Sequence, residues 1–314
     1  RRLFINPAVC EGCGDCGVAS NCMSIEPLET ELGRKRRINQ GSCNKDYSCV
    51  EGFCPSFVSV EGGKPRRAAA RVEAQAASPR PYTQALPEPD IAPLQRACSV
   101  LISGIGGTGV VTIGQTLAVA AHLEGRYSSN LDVTGFSQKY GAVTSHVRFA
   151  PDPGMLHATR IAEGEADALI GCDLVVAASD ESLSRLPAGR GRAVVSTGLV
   201  PTSDFARNPD WQLDPKMLIE RIEAAAGTAD LVLIDGERMA TALVGDPIGI
   251  NMFMLGLAWQ RGFIPLGRAA IERAIELNGV AVAMNKEAFL WGRRVAHDQP
   301  AVERHLKAEQ PTQV

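Results

Sequence analysis

The chain has 314 residues and a formal net charge of −3, with 32 Lys and Arg against 35 Asp and Glu. This length accommodates two domains or one large one. The nearly balanced charge argues against nucleic-acid binding as the main task. No apolar run is long enough to predict a membrane span, and the first residues lack a signal-peptide pattern. We therefore expect a cytoplasmic protein.

Cysteines are concentrated at the start of the chain. An odd number in this region, without a secretory signal, argues against a disulfide framework. Cys98 and Cys172 instead stand singly within apolar stretches, which predicts small core residues. The other seven of the nine cysteines fall within the first 54 residues: Cys10, Cys13, Cys16, Cys22, Cys43, Cys49 and Cys54.

The first cysteine run predicts an iron–sulfur site. Cys10, Cys13 and Cys16 have the C-x₂-C-x₂-C spacing of bacterial ferredoxins, whose thiolates occupy three corners of one [4Fe–4S] cluster. In two-cluster ferredoxins the last cysteine of each run, followed by proline, serves the other cluster. By that rule Cys54, which precedes Pro55, completes the first cluster.

The remaining cysteines predict a second cluster with an unusual fourth position. Cys22, Cys43 and Cys49 supply three thiolates, and Asp46 stands where the pattern has a cysteine. A carboxylate is a harder and weaker ligand for this iron. Two outcomes stay open, namely a labile [4Fe–4S] cluster bound by Asp46 or a [3Fe–4S] cluster. The alternative for Asp46 is a solvated loop carboxylate. For the seven cysteines together, the alternative is a zinc site, which would use four ligands and leave three thiols unused.

Residues 1–62 are thus predicted to form a small two-cluster ferredoxin-like module. Within it, the basic run Arg34–Arg37 favours a solvated hairpin turn, and a docking surface for an acidic electron carrier is the alternative. Residues 63–94 are rich in Ala, Pro and Arg without a hydrophobic period, which indicates a linker or wrapping arm.

From residue 95 the pattern alternates between strands and helices, which predicts a Rossmann-like α/β domain over 95–298 with a mostly parallel sheet covered on both faces. The predicted strands are "CSVLISG", a half-exposed "AVTSHVRFA", "DALIGCDLVVAAS", "GRAVVSTGL" and "DLVLIDG". The predicted helices are "VTIGQTLAVAAHLEG", "PIGINMFMLGLAWQRG", "GRAAIERAIELNG" with Gly279 as its C-cap, and "NKEAFLWGRRVAHD". Residues 299–314 are expected to form a loose tail.

A glycine motif follows the first of these strands. Gly104-x-Gly106-x-x-Gly109, with Gly107 between, precedes a helix, and such a turn presents free N–H groups to phosphate. A dinucleotide site also wants an acidic residue about 20 positions on, at a strand end. Glu124 is at that distance but stands at an apparent helix end. Tight packing of the helix on the sheet, without a ligand, is therefore as well supported an interpretation of the glycine motif as phosphate binding.

A polar segment supplies further candidates for contact with an anionic ligand or a partner subunit. His146 alternates with apolar neighbours, so we interpret it as a sheet-surface residue rather than a catalyst. No hydrolase triad order, zinc-protease motif, P-loop or thiamine-diphosphate signature is present, and no catalytic residue is predicted. The candidates are Ser137, Gln138, Lys139, Ser145, His146 and Arg148.

Several of these segments resemble one enzyme family. "GIGGTGVVTIGQTLA", "GFSQKYGAVTSHVR", "NMFMLG" and "NKEAFLWG" are similar to the gamma domain of 2-oxoacid:ferredoxin oxidoreductases. The segment "VCEGCGDCGVASNC…CNKDYSCVEGFCP" resembles the iron–sulfur insert that precedes this domain in fused indolepyruvate:ferredoxin oxidoreductases. The order of the two modules is more specific than either module taken separately.

The resemblance implies an electron-transfer and gamma component of an oxidative decarboxylase that acts on an arylpyruvate such as indolepyruvate. Thiamine diphosphate and Mg would lie in alpha and beta partner subunits or regions, ferredoxin would accept electrons, and coenzyme A would take the acyl group. The four glycines are candidates for the coenzyme A phosphates. Two alternatives stay open: an iron–sulfur flavoprotein component fed by NAD(P)H, and a non-catalytic assembly subunit.

Overall fold

A computed structural model describes residues 1–40, 43–62, 86–107, 109–135, 141–199, 208 and 213–308. The chain divides into two compact units. The first contains the described residues of 1–67 and 200–214, and the second those of 68–199 and 215–314. Most of the predicted linker, residues 63–85, lies outside the described part.

The first unit is built from short elements around the cysteines. β1 pairs antiparallel with β4, and β2 pairs antiparallel with β3 as a hairpin. A small apolar core of Leu3, Ile5, Cys10, Ile25 and Ile38 lies between these elements. In chain order they are β1 (Arg2–Ile5), α1 (Asp15–Ser20), β2 (Ile25–Thr30), β3 (Gly33–Ile38), a 3₁₀ turn (Ser48–Val50) and β4 (Phe57–Val60).

The second unit contains a six-stranded sheet in the order β10-β9-β8-β5-β7-β6. The pairings from β10 to β5 are parallel, and β7 pairs antiparallel with both β5 and β6. The prediction of a mostly parallel sheet is confirmed. The strands are β5 (Cys98–Ile105), β6 (Tyr127–Thr134), β7 (Ala142–Ala150), β8 (Ala168–Gly171), β9 (Ala193–Ser196) and β10 (Leu231–Ile234).

Eight helices of the described residues accompany this sheet. Two further 3₁₀ turns span Pro153–Met155 and Pro247–Gly249. The helices are α2 (Val110–Leu123), α3 (Leu174–Ala177), α4 (Asp180–Leu183), α5 (Pro215–Ala226), α6 (Gly236–Val244), α7 (Ile250–Gln260), α8 (Arg268–Asn278) and α9 (Val282–Ala308). Gly279 ends α8 in a left-handed conformation, as predicted.

Helix α7 forms the centre of the core, because all residues from Ile250 to Trp259 are buried. A helix that is apolar on every side requires neighbours on every side. Its closest neighbour is α9, and glycines make this approach possible. A Cβ on Gly256 would lie 2.0 Å from the Phe289 carbonyl oxygen, and one on Gly292 would lie 1.9 Å from that of Phe253. The two backbones therefore touch directly.

The structure adds one strand that was not predicted and corrects the predicted exposure of another. β6 was not predicted, because its polar sequence "YSSNLDVT" lacks a strong apolar signal. β7 was predicted to be half exposed, yet most of its residues are buried. The reason is its position between β5 and β6, with α2 packed on one face and the segment 156–166 on the other.

The loose tail predicted for 299–314 is replaced by helix as far as Ala308. α9 breaks at Asp298, whose side chain accepts a hydrogen bond from the Ala301 N–H at 3.0 Å and so caps a second helical segment. Val302 and Leu306 in this segment are buried in the core. The apolar pair at i and i+4 thus anchors a stretch whose composition is otherwise polar.

No single helix of the described residues is both long and apolar enough to cross a membrane. One bent pair, Gly236–Val244 with Pro247–Gln260, meets the length and composition criteria jointly, and its two parts are inclined at 117°.

Candidate functional site

The first predicted cysteine set is close enough in space for its members to interact electrostatically. Burial raises the pKa of Cys16 to about 11, a backbone hydrogen bond at Gly17 opposes this, and the charges of Cys13, Cys10 and Cys54 raise the pKa further. Cys54 is distant in sequence, yet its charge raises the pKa of Cys16, as the charges of the two nearer cysteines do. The four side chains therefore share one neighbourhood.

The second set behaves in the same way. Burial raises the pKa of Cys49 to about 11, with further increases from Cys22, then Cys43 and, more weakly, Asp46. The hydrogen bond at the backbone of Cys49 itself lowers this pKa. Each set thus contains a thiol that is protonated near neutral pH.

Backbone geometry shapes both loops. Gly12 has a φ of +81°, and a Cβ there would lie 2.1 Å from the carbonyl oxygen of Arg34 in β3. Only glycine permits both the left-handed conformation and this close approach of the first cysteine loop to β3. In the second loop, the Lys45 N–H donates to the Sγ of Cys43 at 3.4 Å.

The chemistry of these donors fits iron–sulfur clusters. Such clusters are held by cysteine thiolates, and the two neighbourhoods contain four and three cysteines, with Asp46 added to the second. Among the residues that the structure describes, no three His, Cys, Asp or Glu side chains form a group that could hold a single metal ion. The cluster assignment stays a prediction.

The basic run Arg34–Arg37 lies in strand β3 of the hairpin and not in its turn. Arg34 pairs with Glu29, and Arg37 donates to Glu26 at 3.1 Å. Arg36 is buried, with 1% of its surface exposed. Most of this charge is therefore neutralised or covered, which weakens the docking-surface alternative.

The glycine motif adopts the predicted strand–turn–helix context. β5 ends at Ile105, Gly107 and Gly109 have φ values of +95° and +84°, and α2 starts at Val110. The Gly106 N–H donates to the Gly141 carbonyl at 2.8 Å, which ties the turn to the residue before β7. The turn therefore places the start of α2 at the carboxyl end of a parallel strand, where ligands bind in open α/β sheets.

Asn251 contributes to this turn and was not predicted from the sequence. It is 4% exposed, and its Nδ2 would lie 2.2 Å from a Cβ on Gly109. Its Oδ1 accepts the Met252 N–H at 2.6 Å, which orients the amide nitrogen toward the turn. The only sequence signal was its presence in the "NMFMLG" segment, since its partner lies far away along the chain.

Glu124 has a structural role elsewhere. It caps the end of α2, and its Oε1 accepts the Gly267 N–H at 2.7 Å, next to the start of α8. A carboxylate at a helix start is favourable. Glu124 therefore lies at the end of a helix and not at the end of a strand, where a dinucleotide site has its acidic residue.

Among the polar candidates, Ser137, Gln138 and Lys139 lie outside the described residues. Ser145 is buried and its hydroxyl donates to the Asn130 Oδ1 at 2.9 Å. Arg148 donates to the Ala158 carbonyl at 3.1 Å. These contacts are internal to the second unit.

His146 is fully buried, so its assignment to the sheet surface is wrong. Its Nδ1 accepts the Ile161 N–H at 3.2 Å, and its Nε2 has no hydrogen-bond partner among the described residues. Burial lowers the pKa of His146, Arg160 and Arg185 lower it further, and Glu181 opposes them. The neutral imidazole thus holds segment 156–166 on the sheet.

This environment predicts acid sensitivity. As pH falls below about 6.5, the ordinary histidine pKa, the unfolded chain binds a proton that folded His146 resists, so stability is lost. We expect His146→Asn, which keeps an acceptor for Ile161, to show a smaller loss between roughly pH 7.5 and pH 5.5. The measurement is the thermal midpoint at both pH values, and an equal loss in the two proteins would contradict the assignment.

Comparison with known proteins shows the family to which the α/β part of the chain belongs. A family model described as pyruvate ferredoxin/flavodoxin oxidoreductase matches residues 99–295, more than half of the chain. The chain therefore belongs to the pyruvate ferredoxin/flavodoxin oxidoreductase family. The match begins after the seven clustered cysteines, which all lie within the first 54 residues.

The curated relatives share one printed name, indolepyruvate oxidoreductase subunit IorB. The protein from Pyrococcus horikoshii is 26% identical over 203 residues, covering 64% of this chain and 96% of the relative. Those from Thermococcus kodakarensis and Methanothermobacter thermautotrophicus are 24% and 23% identical, covering 64% and 62% of this chain and 96% and 95% of the relatives.

Solved structures with similarity to the chain include two single subunits. One is the gamma subunit of a keto/oxoacid ferredoxin oxidoreductase from Geobacter sulfurreducens, with 21% identity, a TM-score of 0.45, and coverage of 64% of this chain and 98% of that one. The other is the pyruvate oxidoreductase subunit PORC from Thermotoga maritima, with 19% identity, a TM-score of 0.46, and coverage of 64% and 97%.

Proposed function

We propose that this chain is the electron-relaying and gamma component of a 2-oxoacid:ferredoxin oxidoreductase that acts on an arylpyruvate such as indolepyruvate. Membership in the oxidoreductase family supports the enzyme class. The indolepyruvate oxidoreductase name of the curated relatives supports the substrate class.

The observation that carries the electron-relay proposal is the grouping of the cysteines. Cys16 and Cys54 share one electrostatic neighbourhood, and Cys22 and Cys49 share another. This is the crossed pairing that two-cluster ferredoxins use. Clusters bound there would accept and release single electrons.

The chain's own residues have two tasks in this scheme. The cysteine loops hold the sulfur ligands, and the small core of the first unit limits the access of water to one side of each set. The second unit supplies the glycine turn, whose N–H groups and helix start suit a phosphate. The carbon chemistry belongs to thiamine-binding partner subunits or regions that hold thiamine diphosphate and Mg.

We place a coenzyme A phosphate, within this proposal, at Gly104, Gly106, Gly107 and Gly109. The support is the left-handed turn at the start of the 14-residue helix α2. The buried Asn251 amide at Gly109 supports it further, because its nitrogen lies against Gly109 while its oxygen accepts the Met252 N–H.

A glycine substitution tests this placement. Gly109→Ala brings a Cβ to 2.2 Å from Asn251 Nδ2 and strains a φ of +84°, so we expect coenzyme A affinity to fall by about tenfold or more. Gly125→Ala is the matched control, because it strains a φ of +66° and meets no atom within 4 Å, yet lies beyond the far end of α2 and outside the turn. Calorimetric titration of coenzyme A into the purified protein measures both, and equal affinities for the two variants would count against the site.

The electron-relay proposal is tested on anaerobically purified protein. We expect about seven or eight irons per chain, and cluster signals in electron paramagnetic resonance that change on reduction with dithionite. Fewer than about five irons per chain would rule out two clusters. A flavin absorption spectrum would favour an NAD(P)H-fed flavoprotein instead, and clusters that cannot be reduced would favour an assembly subunit.

A further inference from the structure

Asp46 occupies the position in the second set where a ferredoxin run has a cysteine. In the folded chain its Oδ1 accepts two hydrogen bonds from Ser48, one from the N–H at 3.2 Å and one from the Oγ at 3.1 Å. Such bonds to a residue two positions on close a local turn. The turn leads into the 3₁₀ segment Ser48–Val50, which carries Cys49.

The backbone around Asp46 needs this support. Lys45 and Tyr47, on either side, have φ values of +61° and +65°. A non-glycine residue in this region costs roughly 1–2 kcal/mol. Tyr47 is held by its hydroxyl, which donates to the Arg1 carbonyl at 2.9 Å, and by the Arg1 guanidinium over its ring at 5.2 Å. The Asp46–Ser48 bonds stabilise the same turn from its other side.

The carboxylate is also more exposed than the thiols of the second set. Cys22, Cys43 and Cys49 pack against the apolar core of the first unit, whereas Asp46 is exposed to water. Moving the charged carboxylate out of water has a desolvation cost, and iron in such clusters prefers thiolate over carboxylate. Both effects oppose ligation by Asp46.

We infer that Asp46 forms the turn and does not bind iron, so that Cys22, Cys43 and Cys49 are the sole protein ligands of the second cluster. One iron of a [4Fe–4S] cluster at this site then takes water, hydroxide or a small thiol from solvent and is exchangeable. This inference rests on the proposed iron–sulfur function and deepens it.

Asp46→Asn separates the two roles. Asparagine keeps the Oδ1 acceptor for Ser48 but loses the negative charge that would bind iron. We expect Asp46→Asn and the wild-type protein to contain equal iron. Ferricyanide accepts one electron as [4Fe–4S]²⁺ yields [3Fe–4S]⁺ and Fe²⁺, and we expect the resulting [3Fe–4S] resonance signal to be equal in the two proteins.

Asp46→Cys is the second variant, because it adds a fourth thiolate and is expected to suppress the [3Fe–4S] signal after the same ferricyanide treatment. The inference is overturned if Asp46→Asn loses about one iron relative to the wild type while Ser48→Ala does not. It is also overturned if ferricyanide gives a clearly larger [3Fe–4S] signal in Asp46→Asn than in the wild-type protein, since this would mean that the carboxylate had held the fourth iron.

The proposed function and this inference fail in different ways. A wild-type protein with fewer than about five irons defeats both. A wild-type protein with two reducible clusters, combined with iron loss in Asp46→Asn, leaves the electron-relay function in place and defeats only the role assigned to Asp46.

Discussion

Replacing Cys54 with alanine is expected to remove the same cluster as replacing Cys16, and with it roughly half of the iron. The reason is that Cys54 is close enough to Cys16 in the folded first unit to raise its pKa, although Cys43 and Cys49 lie between them in sequence. Cys22→Ala and Cys49→Ala are expected to remove the other cluster. Iron and sulfide analysis, with electron paramagnetic resonance of each reduced variant, compares the four proteins.

The control for this series is a cysteine outside the two sets. Cys172 is buried in the second unit with its pKa raised to about 12 by burial and, to a smaller extent, by Asp173. Cys172→Ala is therefore expected to keep the full iron content. If Cys54→Ala and Cys49→Ala lost the same cluster and Cys16→Ala the other, the crossed pairing would be wrong.

Gly292→Ala is expected to destabilise the second unit by about 3 kcal/mol or more. In an ordinary helix, replacing glycine with alanine stabilises the helix by up to about 1 kcal/mol. Here the new Cβ would lie 1.9 Å from the Phe253 carbonyl oxygen and 2.8 Å from the Leu257 nitrogen, so α7 and α9 have to separate. The clash involves backbone atoms, which cannot rotate away as a side chain does.

Tryptophan fluorescence measures this change, because Trp259 on α7 and Trp291 on α9 both lie in the packed pair. The thermal midpoint of the transition is expected to fall markedly in Gly292→Ala. Gly52→Ala serves as the control, since a Cβ there meets no atom within 4 Å, and its midpoint is expected to match the wild type. An unchanged or raised midpoint in Gly292→Ala would mean that the two helices are not in backbone contact.

The sequence was sufficient for features that depend on local spacing. The turn from β5 through Gly109 into α2 was predictable, because a strand pattern, a glycine motif and a helical pattern follow one another without interruption. The capping of α8 by Gly279 was predictable for the same reason. The two cysteine sets were predicted from ferredoxin spacing, and their ligation of iron stays a prediction.

The environments of polar residues were less predictable. His146 alternates with apolar neighbours, which is typical of a half-exposed strand, yet the segment containing Ile161 covers that face. The polar strand β6 also has little apolar signal of its own, and β7 between it and β5 is consequently enclosed. Burial on such a strand depends on what packs over it, and the strand's own sequence does not contain that information.

The sequence by itself thus determined the order of the two modules, the spacing of the clustered cysteines and the position of the glycine turn, because these depend on residue types at short spacings. Only the tertiary structure decided that Asn251 meets Gly109, that Glu124 serves α8 and that Asp46 is engaged by Ser48. A polar side chain forms hydrogen bonds with the groups that lie near it in space. Which groups lie near it depends on how distant segments and strained turns fold.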